Sequence, residues 1–362
     1  MKVLTHAIMP LTQEFYELGR NEEAPLFDAP EGTVLMSLSR GAFQHVARSL
    51  KKPGCRVLVP GYTCVTVPAP FEREGWEVEY FPIDRNMRIN SAAFLRLLED
   101  FKPDAIVVHP YYGQDLNEEE RTLLRKAKAQ GCFIVKDLTQ CIGATQKEDF
   151  VDAYTGSIRK WFPMPDGAFY YSKVLPMENG EMEEDVEFVT ATRDAMYIRN
   201  LHVQTGNKVL GGIASRINKN NGEGKRRGED VGPFRMSDFS RRILFTQDFE
   251  DYDARRQANA RYLWENLKDN PLIEMAYSDI SDISTGPLFF PFYVKTDNKE
   301  FSKEYLTPAQ IQGVTMWRNF IEQLPADLVA LEDDLYTKLL LVPIGLDYGK
   351  EEMDRIIACF RP

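Results

Sequence analysis

The chain has 362 residues, 43% of them hydrophobic and 27% charged, and its 44 Lys and Arg against 55 Asp and Glu give a formal net charge of −11. The apolar fraction excludes a disordered chain, and the length predicts about two domains. A sequence pI near 5.1 argues against nucleic acid or an anionic membrane as a partner, since both are polyanions.

Cysteine usage and the first residues indicate a cytoplasmic chain. The five cysteines form no CxxC pair and no metal-ligand spacing, and such a sparse, odd number is typical of a reducing compartment. The opening MKVLTHAIMP lacks the pattern of a signal peptide, and no apolar stretch approaches the ~20 residues of a membrane span. We therefore expect a soluble cytoplasmic protein with no metal site.

Short apolar runs alternate with helical patterns over the first 150 residues. The predicted strands are 55–60, 76–82, 105–110 and 132–137. The predicted helices are 42–50, 65–74, 91–101 with Ser91 as its cap, and 117–130. Strands that are apolar throughout and separated by helices predict a mainly parallel sheet covered on both faces, in three α/β/α layers.

The pattern is looser after residue 150. Further strands are predicted at 153–160, 168–173, 287–294 and 339–344. Further helices are predicted at 185–203, from Ser237 to about Asn270 without a break, at 307–323 and at 349–360. We expect a large domain over 1–245 and a smaller C-terminal α/β domain over 246–362, with 218–230 as a polar loop.

The first candidate site opens a helix at Ser39-Arg40-Gly41. In an α/β sheet, ligands bind where the carboxyl ends of strands meet helix N-termini, and the amides there attract anions. These residues therefore indicate an anion site. Taken alone, these residues favour the alternative of an ordinary serine cap followed by a packing glycine.

The second candidate is Asp137, which ends the apolar run CFIVKD. A carboxylate at the end of a buried strand needs a cation as a partner, such as a metal, an arginine or a protonated heterocycle. The chain has only four histidines, which offers no cluster of metal ligands around it. The alternative is that Asp137 caps the following turn.

The third candidate is Lys160, within the aromatic and proline-rich segment GSIRKWFPMPDGAF. A lysine in apolar surroundings tends to lose its proton and become a nucleophile. The alternative is a surface lysine beside Arg159. Together, an anion-binding helix start, a strand-end Asp and a desolvated Lys match the phosphate, pyridinium nitrogen and aldehyde of pyridoxal phosphate.

Several segments in the right order resemble fold-type-I pyridoxal-phosphate enzymes, and among these the DegT-type aminotransferases, which include many sugar aminotransferases. The segments are SRGAFQHVARSL, CRVLVPGYTCVTVPAPFEREGWEVEYFPID, IVVHPYYGQ, VKDLTQCIGA, GSIRKWFPMPDGAF, FRMSDFSRRIL and LLLVPIGLDYGKEEMDRII. The resemblance covers most of the chain and implies the aspartate-aminotransferase-like fold with pyridoxal phosphate as the cofactor.

The resemblance also implies roles for individual residues at the cofactor ring. Asp137 would bind the pyridine nitrogen and keep it protonated. Gln140 would lie near the ring hydroxyl, and Lys160 would be the Schiff-base lysine and the catalytic base.

At the cofactor phosphate, the resemblance implies backbone amides from Arg40 and Gly41. It also implies one hydroxyl, for which Ser157 and Thr155 are both candidates, because the serine usual in the family lies five residues before the lysine, where this chain has Thr155.

Three departures from the family pattern weaken the inference about the substrate. Cys64 stands where an aromatic residue often stacks on the ring, with Tyr62 as a possible substitute. Pro233 replaces an Asn that reaches the phosphate of a partner subunit, and PMPDGAF follows the lysine in place of G-E-G-G.

The resemblance implies an aminotransferase that moves an amine from a small amino donor to a keto acceptor, such as a keto-sugar, in a homodimer with shared active sites. Lys225, Arg226 and Arg227 could serve an anionic substrate or lie on a solvated loop. Arg318 could bind a substrate carboxylate or pack beside Trp317.

Two alternatives stay open. One is a pyridoxal-phosphate lyase or dehydratase, although dehydratase relatives tend to carry His in place of the lysine. The other is a non-catalytic ligand sensor or scaffold that retains the fold. A nicotinamide dehydrogenase is a further option, and the lack of a GxGxxG motif after a strand argues against it.

Overall fold

The computed structural model describes residues 3–5, 30–143, 147–178, 182–220, 232–317, 326–345 and 348–360. Its strands are β1 (Val34–Met36), β2 (Arg56–Pro60), β3 (Glu77–Phe81), β4 (Ala105–Val108), β5 (Phe133–Asp137), β6 (Ala153–Gly156), β7 (Ala168–Ser172), β8 (Ile273–Met275), β9 (Phe289–Val294) and β10 (Leu339–Pro343).

The α-helices follow the same chain order. They are α1 (Ser39–Ser49), α2 (Ala69–Arg73), α3 (Ser91–Asp100), α4 (Glu118–Ala129), α5 (Val186–Thr205), α6 (Lys208–Asn220), α7 (Asp238–Leu244), α8 (Phe249–Leu267), α9 (Asn298–Phe301), α10 (Ala326–Thr337) and α11 (Lys350–Ala358).

Seven strands form the larger sheet, in the order β1-β7-β6-β5-β4-β2-β3. Strand β2 pairs in parallel with β3 and β4, and β4 pairs in parallel with β5. Strand β7 is antiparallel to both β1 and β6. The sheet is therefore mixed and mainly parallel, and a three-stranded antiparallel sheet, β10-β9-β8, follows near the C-terminus, which confirms the predicted fold class.

The chain divides into two compact units. The first comprises Met1–Ala7, Lys51–Asp152 and Glu250–Pro362, and the second comprises Ile8–Leu50 and Ala153–Phe249. These units are assembled from separate stretches of chain. The division into functional domains at 1–245 and 246–362 stays a prediction.

The parallel strands of the first unit lie where the apolar runs predicted them. All four residues of β4 are buried, as are the last four of β2 and of β5. Strands buried on both faces bury nearly every side chain, which explains why their sequences do not alternate. The cap of α3 was assigned wrongly, because the Asn90 side chain, and not that of Ser91, accepts a hydrogen bond from the Ala93 amide.

The predicted unbroken helix from Ser237 to Asn270 is wrong, since α7 ends at Leu244 and α8 begins at Phe249. The side chains of Thr246 and Gln247 both donate to the Ile243 carbonyl oxygen, at 2.7 and 2.9 Å. These bonds satisfy a helix-end carbonyl with side chains and end the helix there.

The helix predicted at 307–323 is also wrong over its described part. A short 3-10 turn, Thr307–Ala309, ends at Gln310, whose φ of +57° lies in the left-handed region. Such a residue does not continue a helix. Residues 318–323 lie outside the described part of the chain.

The described residues include three helices that the sequence patterns did not predict, α6, α9 and α10. Among the described residues, no helix combines the length and the apolar composition that crossing a bilayer requires. All five cysteines have free thiols.

Candidate active site

The predicted site residues are distributed over both units. The first unit holds Tyr62, Cys64, Asp137 and Gln140. The second unit holds Arg40, Gly41, Thr155, Ser157 and Lys160.

In the first unit, Asp137 is the last residue of β5 and its side chain is buried. Its Oδ1 accepts hydrogen bonds from the Thr139 backbone amide at 2.9 Å and from the Thr139 hydroxyl at 2.6 Å. These two bonds fix the orientation of the carboxylate at the carboxyl end of the strand. Asp137 therefore caps the turn, which was the alternative interpretation, and its pairing with a cation stays a prediction.

Gln140 connects the segments that follow β5 and β4. Its Oε1 accepts a hydrogen bond from the Tyr112 amide at 3.3 Å, and the neighbouring Cys141 Sγ accepts one from the Gly113 amide at 3.1 Å. Burial raises the pKa of the Cys141 thiol to about 12. Cys141 is thus a neutral thiol. The side-chain carbonyl oxygen of Gln140 is used by the Tyr112 backbone amide.

Tyr62 lies at the centre of an aromatic cluster in the first unit, here called the tyrosine cluster. Its members are Tyr62, Tyr111, Tyr112, Trp317 and Tyr336. The Tyr62 side chain is 0% exposed. Its hydroxyl lies 3.2 Å from that of Tyr112, and its ring meets the rings of Trp317 and Tyr336 edge-on at 4.6 and 5.4 Å. A ligand ring could stack on Tyr62 only after a neighbour moved, and its stacking role stays a prediction.

The position that the family pattern gives to an aromatic residue is half-buried Cys64, whose Sγ accepts a hydrogen bond from the Thr66 hydroxyl at 3.1 Å. Close by in the sequence, Thr63 Oγ1 lies 3.1 Å from His109 Nε2, just beyond the end of β4. His109 Nε2 is also 3.4 Å from the Tyr111 hydroxyl. The His109 imidazole thus links the ends of β2 and β4.

Glu332 on α10 is a buried carboxylate that no sequence motif marks. It is 1% exposed, and its Oε1 accepts a hydrogen bond from the Ile83 amide at 2.8 Å. A Cβ added to Gly61 would lie 2.6 Å from both carboxylate oxygens, so only glycine fits there. Burial raises the pKa of Glu332 to about 7. Hydrogen bonds from the backbone of Ile83, from the Tyr336 hydroxyl and from the backbone of Tyr62 lower this pKa and so oppose the effect of burial.

In the second unit, α1 begins at Ser39, and the residue that precedes it, Leu38, has no side-chain oxygen to cap the helix. The predicted serine cap is therefore wrong. A Cβ on Gly41 would lie 3.1 Å from Met36 Cε and 3.3 Å from Pro233 Cα. Gly41 is thus a packing glycine, and Pro233 lies against the helix start of its own chain.

The two candidate hydroxyls differ in what they bind. Thr155, in β6, is 0% exposed, and its hydroxyl donates to the Phe169 carbonyl oxygen at 2.8 Å. Ser157 precedes the 3-10 turn Ile158–Lys160 in extended conformation and is buried. The Thr155 proton serves the sheet, and the choice between the two hydroxyls as a phosphate ligand stays a prediction.

Lys160 ends the 3-10 turn and is half-buried. The residues that follow it, Trp161 and Phe162, are almost completely buried, and Arg159 before it is 7% exposed. The lysine is thus flanked by buried side chains, as the apolar sequence around it predicted, and its role stays a prediction.

Asp166, six residues after the lysine, is a second buried carboxylate that the sequence analysis did not single out. It is 0% exposed and accepts hydrogen bonds from the Ser237 amide at 2.9 Å, from the Ser237 hydroxyl at 2.6 Å and from the Ser240 hydroxyl. Burial raises its pKa, and the bonds from Ser237 and Ser240 oppose that rise.

Two groups of predicted residues receive no structural description. Lys225, Arg226 and Arg227, and also Arg318, lie outside the described residues. Within the described ranges, no three His, Cys, Asp or Glu side chains come together as a metal site.

Comparison with known proteins gives structural matches only. No family model and no curated protein sequence matches the chain. The sugar aminotransferase CalS13 from Micromonospora echinospora has a TM-score of 0.65 at 15% identity, over 99% of this chain and 98% of that one. A DegT DnrJ EryC1 StrS aminotransferase from Brucella abortus has a TM-score of 0.62 at 16% identity, over 91% and 85%.

A dehydratase matches equally well. The GDP-4-keto-6-deoxy-D-mannose-3-dehydratase of E. coli, solved with bound hydrated pyridoxal phosphate, has a TM-score of 0.65 at 15% identity, over 99% of this chain and 100% of that one. At such identities the similarity shows the fold alone. The chain therefore has the fold of the DegT-type pyridoxal-phosphate enzymes over nearly its whole length, as the sequence resemblance predicted.

Proposed function

We propose that the protein is a pyridoxal-phosphate-dependent aminotransferase of the DegT type. The observation that carries the proposal is the position of Asp137, a buried carboxylate held in one orientation at the carboxyl end of β5. Ligands of α/β sheets bind at this end of the strands. The shared fold and a lysine in a largely buried turn support the same conclusion.

The described residues fit the polar ends of the cofactor chemically. The first turn of α1 has no side-chain acceptor at its cap, which suits a phosphate. The carboxylate of Asp137 suits a protonated ring nitrogen, and the amine of Lys160 suits an aldehyde. Pro233 packs against Gly41, and the Gly41 amide donates to the Leu38 carbonyl oxygen at 3.0 Å, so a phosphate at this helix start would compete with that bond.

The cofactor, when bound, supplies an electron sink for the breaking of a Cα–H bond. Lys160 would hold the cofactor by its aldehyde, and its Nζ would serve as the base that accepts and returns the proton of the donor Cα. Asp137 would hold the protonated ring nitrogen, and the hydroxyl of Ser157 or Thr155 would donate to the phosphate. The donor leaves as a keto acid before the acceptor enters, which predicts ping-pong kinetics.

The activities named for two structurally similar enzymes support a class of acceptor. CalS13 is a sugar aminotransferase, and the E. coli enzyme acts on a keto-sugar. A small keto-sugar is therefore the first acceptor to test, with glutamate and glutamine as donors. A homodimer with shared active sites belongs to the same proposal.

The decisive experiment traps the cofactor on the protein. The chain is loaded with pyridoxal phosphate, reduced with borohydride, digested and analysed by mass spectrometry. We expect the phosphopyridoxyl group on Lys160, its loss in Lys160→Ala, and its retention in Lys173→Ala, which removes an exposed lysine of the same unit. Conversion of the bound cofactor to the pyridoxamine form by glutamate or glutamine then demonstrates the amine transfer.

Other results would assign other functions. No uptake of the cofactor, or a label on another lysine, contradicts the proposal. Uptake at Lys160 with no response to any donor indicates a ligand sensor. Loss of water from a keto-sugar without amine transfer indicates a dehydratase.

A further inference from the structure

The segment that carries Lys160 is closed into a loop by its own backbone. The Arg159 amide donates to the Gly167 carbonyl oxygen at 3.0 Å, which joins the residue before the lysine to a residue seven positions after it. The Gly167 amide in turn donates to the Ser37 carbonyl oxygen at 2.7 Å. The residues between Arg159 and Gly167, here called the lysine loop, therefore have both ends held.

Gly167 can occupy this closing position only because it has no side chain. Its φ is +143°, and a Cβ would lie 3.0 Å from Met164 Cε and 3.3 Å from Met236 Cε. A side chain there would strain the backbone and push the two methionines apart. The backbone conformation that closes the loop therefore requires glycine at position 167.

The Asp166 side chain also holds the end of the lysine loop, through hydrogen bonds to its carboxylate. Its Oδ2 accepts from the Ser237 amide, and its Oδ1 accepts from the hydroxyls of Ser237 and Ser240. Ser237 is the cap of α7, and its hydroxyl also accepts from the Ser240 amide at 3.1 Å. The end of the lysine loop is therefore bound to the start of a helix more than seventy residues further along the chain.

We infer that Asp166 is a positioning residue, which holds the lysine loop against α7 and thereby fixes the backbone from which Lys160 reaches its substrate. The inference rests on the proposed function in that Lys160 is taken as the reactive lysine. A lysine has four rotatable side-chain bonds, so a fixed backbone is what limits the volume that its Nζ searches. Reaction geometry tolerates errors of only about half an ångström.

The test uses two readouts on the cofactor-free protein. Hydrogen exchange of the backbone amides of 159–167 measures how often the loop opens. The rate at which acetic anhydride labels Lys160 measures how accessible Nζ becomes. Because neither readout needs pyridoxal phosphate, failure of this inference and failure of the proposed function can be told apart.

The variants are Asp166→Asn and Ser240→Ala, with Asp238→Asn as the matched control. Asp238 is a carboxylate of the same helix start, but its side chain is 66% exposed and pairs with Arg235. We expect Asp166→Asn to speed exchange in 159–167 by about tenfold or more, since a buried charge-assisted hydrogen bond is lost. Ser240→Ala should act in the same direction with a smaller effect, and Asp238→Asn should stay within about twofold.

A structural role without positioning gives a different result. If Asp166→Asn speeds exchange equally in the lysine loop and in β6 and β7, Asp166 stabilises the unit as a whole and the inference is overturned. It is also overturned if the loop opens and the labelling rate of Lys160 does not change. If Asp166→Asn does not fold, Ser240→Ala and Ser237→Ala decide by the same criteria.

In the loaded enzyme, Asp166→Asn should lower kcat for the amino donor and leave KM nearly unchanged. A residue that positions the base acts on the proton transfer more than on donor binding. A rise in KM with an unchanged kcat would contradict the positioning role.

Discussion

Asp166 in the second unit and Glu332 in the first are both buried carboxylates that hold a loop, yet they do it with different donors. Asp166 is bound by the backbone and hydroxyls of one helix start, within four consecutive residues. Glu332 is bound by the backbone after β3 and by a tyrosine of its own helix. Burial raises the pKa of both.

The difference lies in the protons available to each carboxylate. The Tyr336 hydroxyl has one proton and two acceptors in range, the Gly61 carbonyl oxygen at 3.0 Å and Glu332 Oε2 at 3.2 Å. When that proton goes to Gly61, the Glu332 carboxylate has one donor fewer, so its charged form is stabilised less. Burial raises the pKa of Glu332 to about 7, and a shared hydroxyl opposes that rise only in part. Asp166, by contrast, faces two hydroxyls whose protons can both point at it.

Burial raises the pKa of both carboxylates, and hydrogen-bond donors that have no competing acceptor oppose that rise more than donors that are shared. Four substitutions test this contrast.

Asp166→Ala should have the largest effect. It leaves the Ser237 amide and two hydroxyls buried without their acceptor, at a cost of about 4 kcal/mol in the free energy of unfolding. Urea unfolding measures this loss, with Asp238→Asn as the exposed control. A loss below about 1 kcal/mol would mean that water replaces the carboxylate and that Asp166 does not hold the loop.

Glu332→Gln should change the pH dependence of stability. The pKa of Glu332 is raised from 4.5 to about 7 in the folded chain, so between these values the unfolded state has lost a proton that the folded state keeps. Stability from this group is therefore complete below pH 4.5, falls as the pH rises through about 7 and is constant above it. The total is about 3 kcal/mol.

Glutamine resembles the protonated carboxyl, because its amide can donate to the Tyr336 oxygen while its carbonyl accepts from Ile83. We expect equal stability of variant and wild type near pH 4.5 and a more stable variant at pH 8. Urea unfolding across this range measures the difference. Parallel curves for the two proteins would show that Glu332 titrates normally.

Gly61→Ala should destabilise the chain by about 2 kcal/mol, because the new methyl group meets both Glu332 oxygens at 2.6 Å. In the Glu332→Ala background the same substitution should cost much less, since the oxygens are gone. Gly212→Ala, which meets no atom within 4 Å, is the control. An equal cost in both backgrounds would place the strain somewhere other than at Glu332.

Tyr336→Phe should have the smallest effect, a loss of about 1 kcal/mol, because it removes a single neutral hydroxyl from Gly61 and Glu332. The Tyr336 hydroxyl lowers the pKa of Glu332 and so stabilises its charged form, and the loss is therefore larger at pH 8, where Glu332 is charged, than at pH 5. Thermal or urea unfolding of wild type and variant at pH 5 and at pH 8 measures the two losses of stability.

Much of the fold follows from local patterns in the sequence. The strands β2, β4 and β5 were located because a strand buried on both faces needs an uninterrupted apolar run. Helix α4 has its capping box of Asn117 and Glu120 within three residues. Where the helix predictions failed, at 245–248 and around Gln310, side-chain hydrogen bonds and one left-handed residue outweighed the helical periodicity.

The sequence by itself determined the alternation of helices and strands from α1 to β5, the strand-end position of Asp137 and the apolar flank of Lys160, because each depends on neighbours within a few residues. Only the tertiary structure decided which carboxylates are buried and what they bind. Asp166 finds its donors 71 and 74 residues away, and Glu332 finds Ile83 at a separation of 249. No local pattern distinguishes such a residue from a solvated acid, because the cost of its burial is offset by partners that only folding brings near.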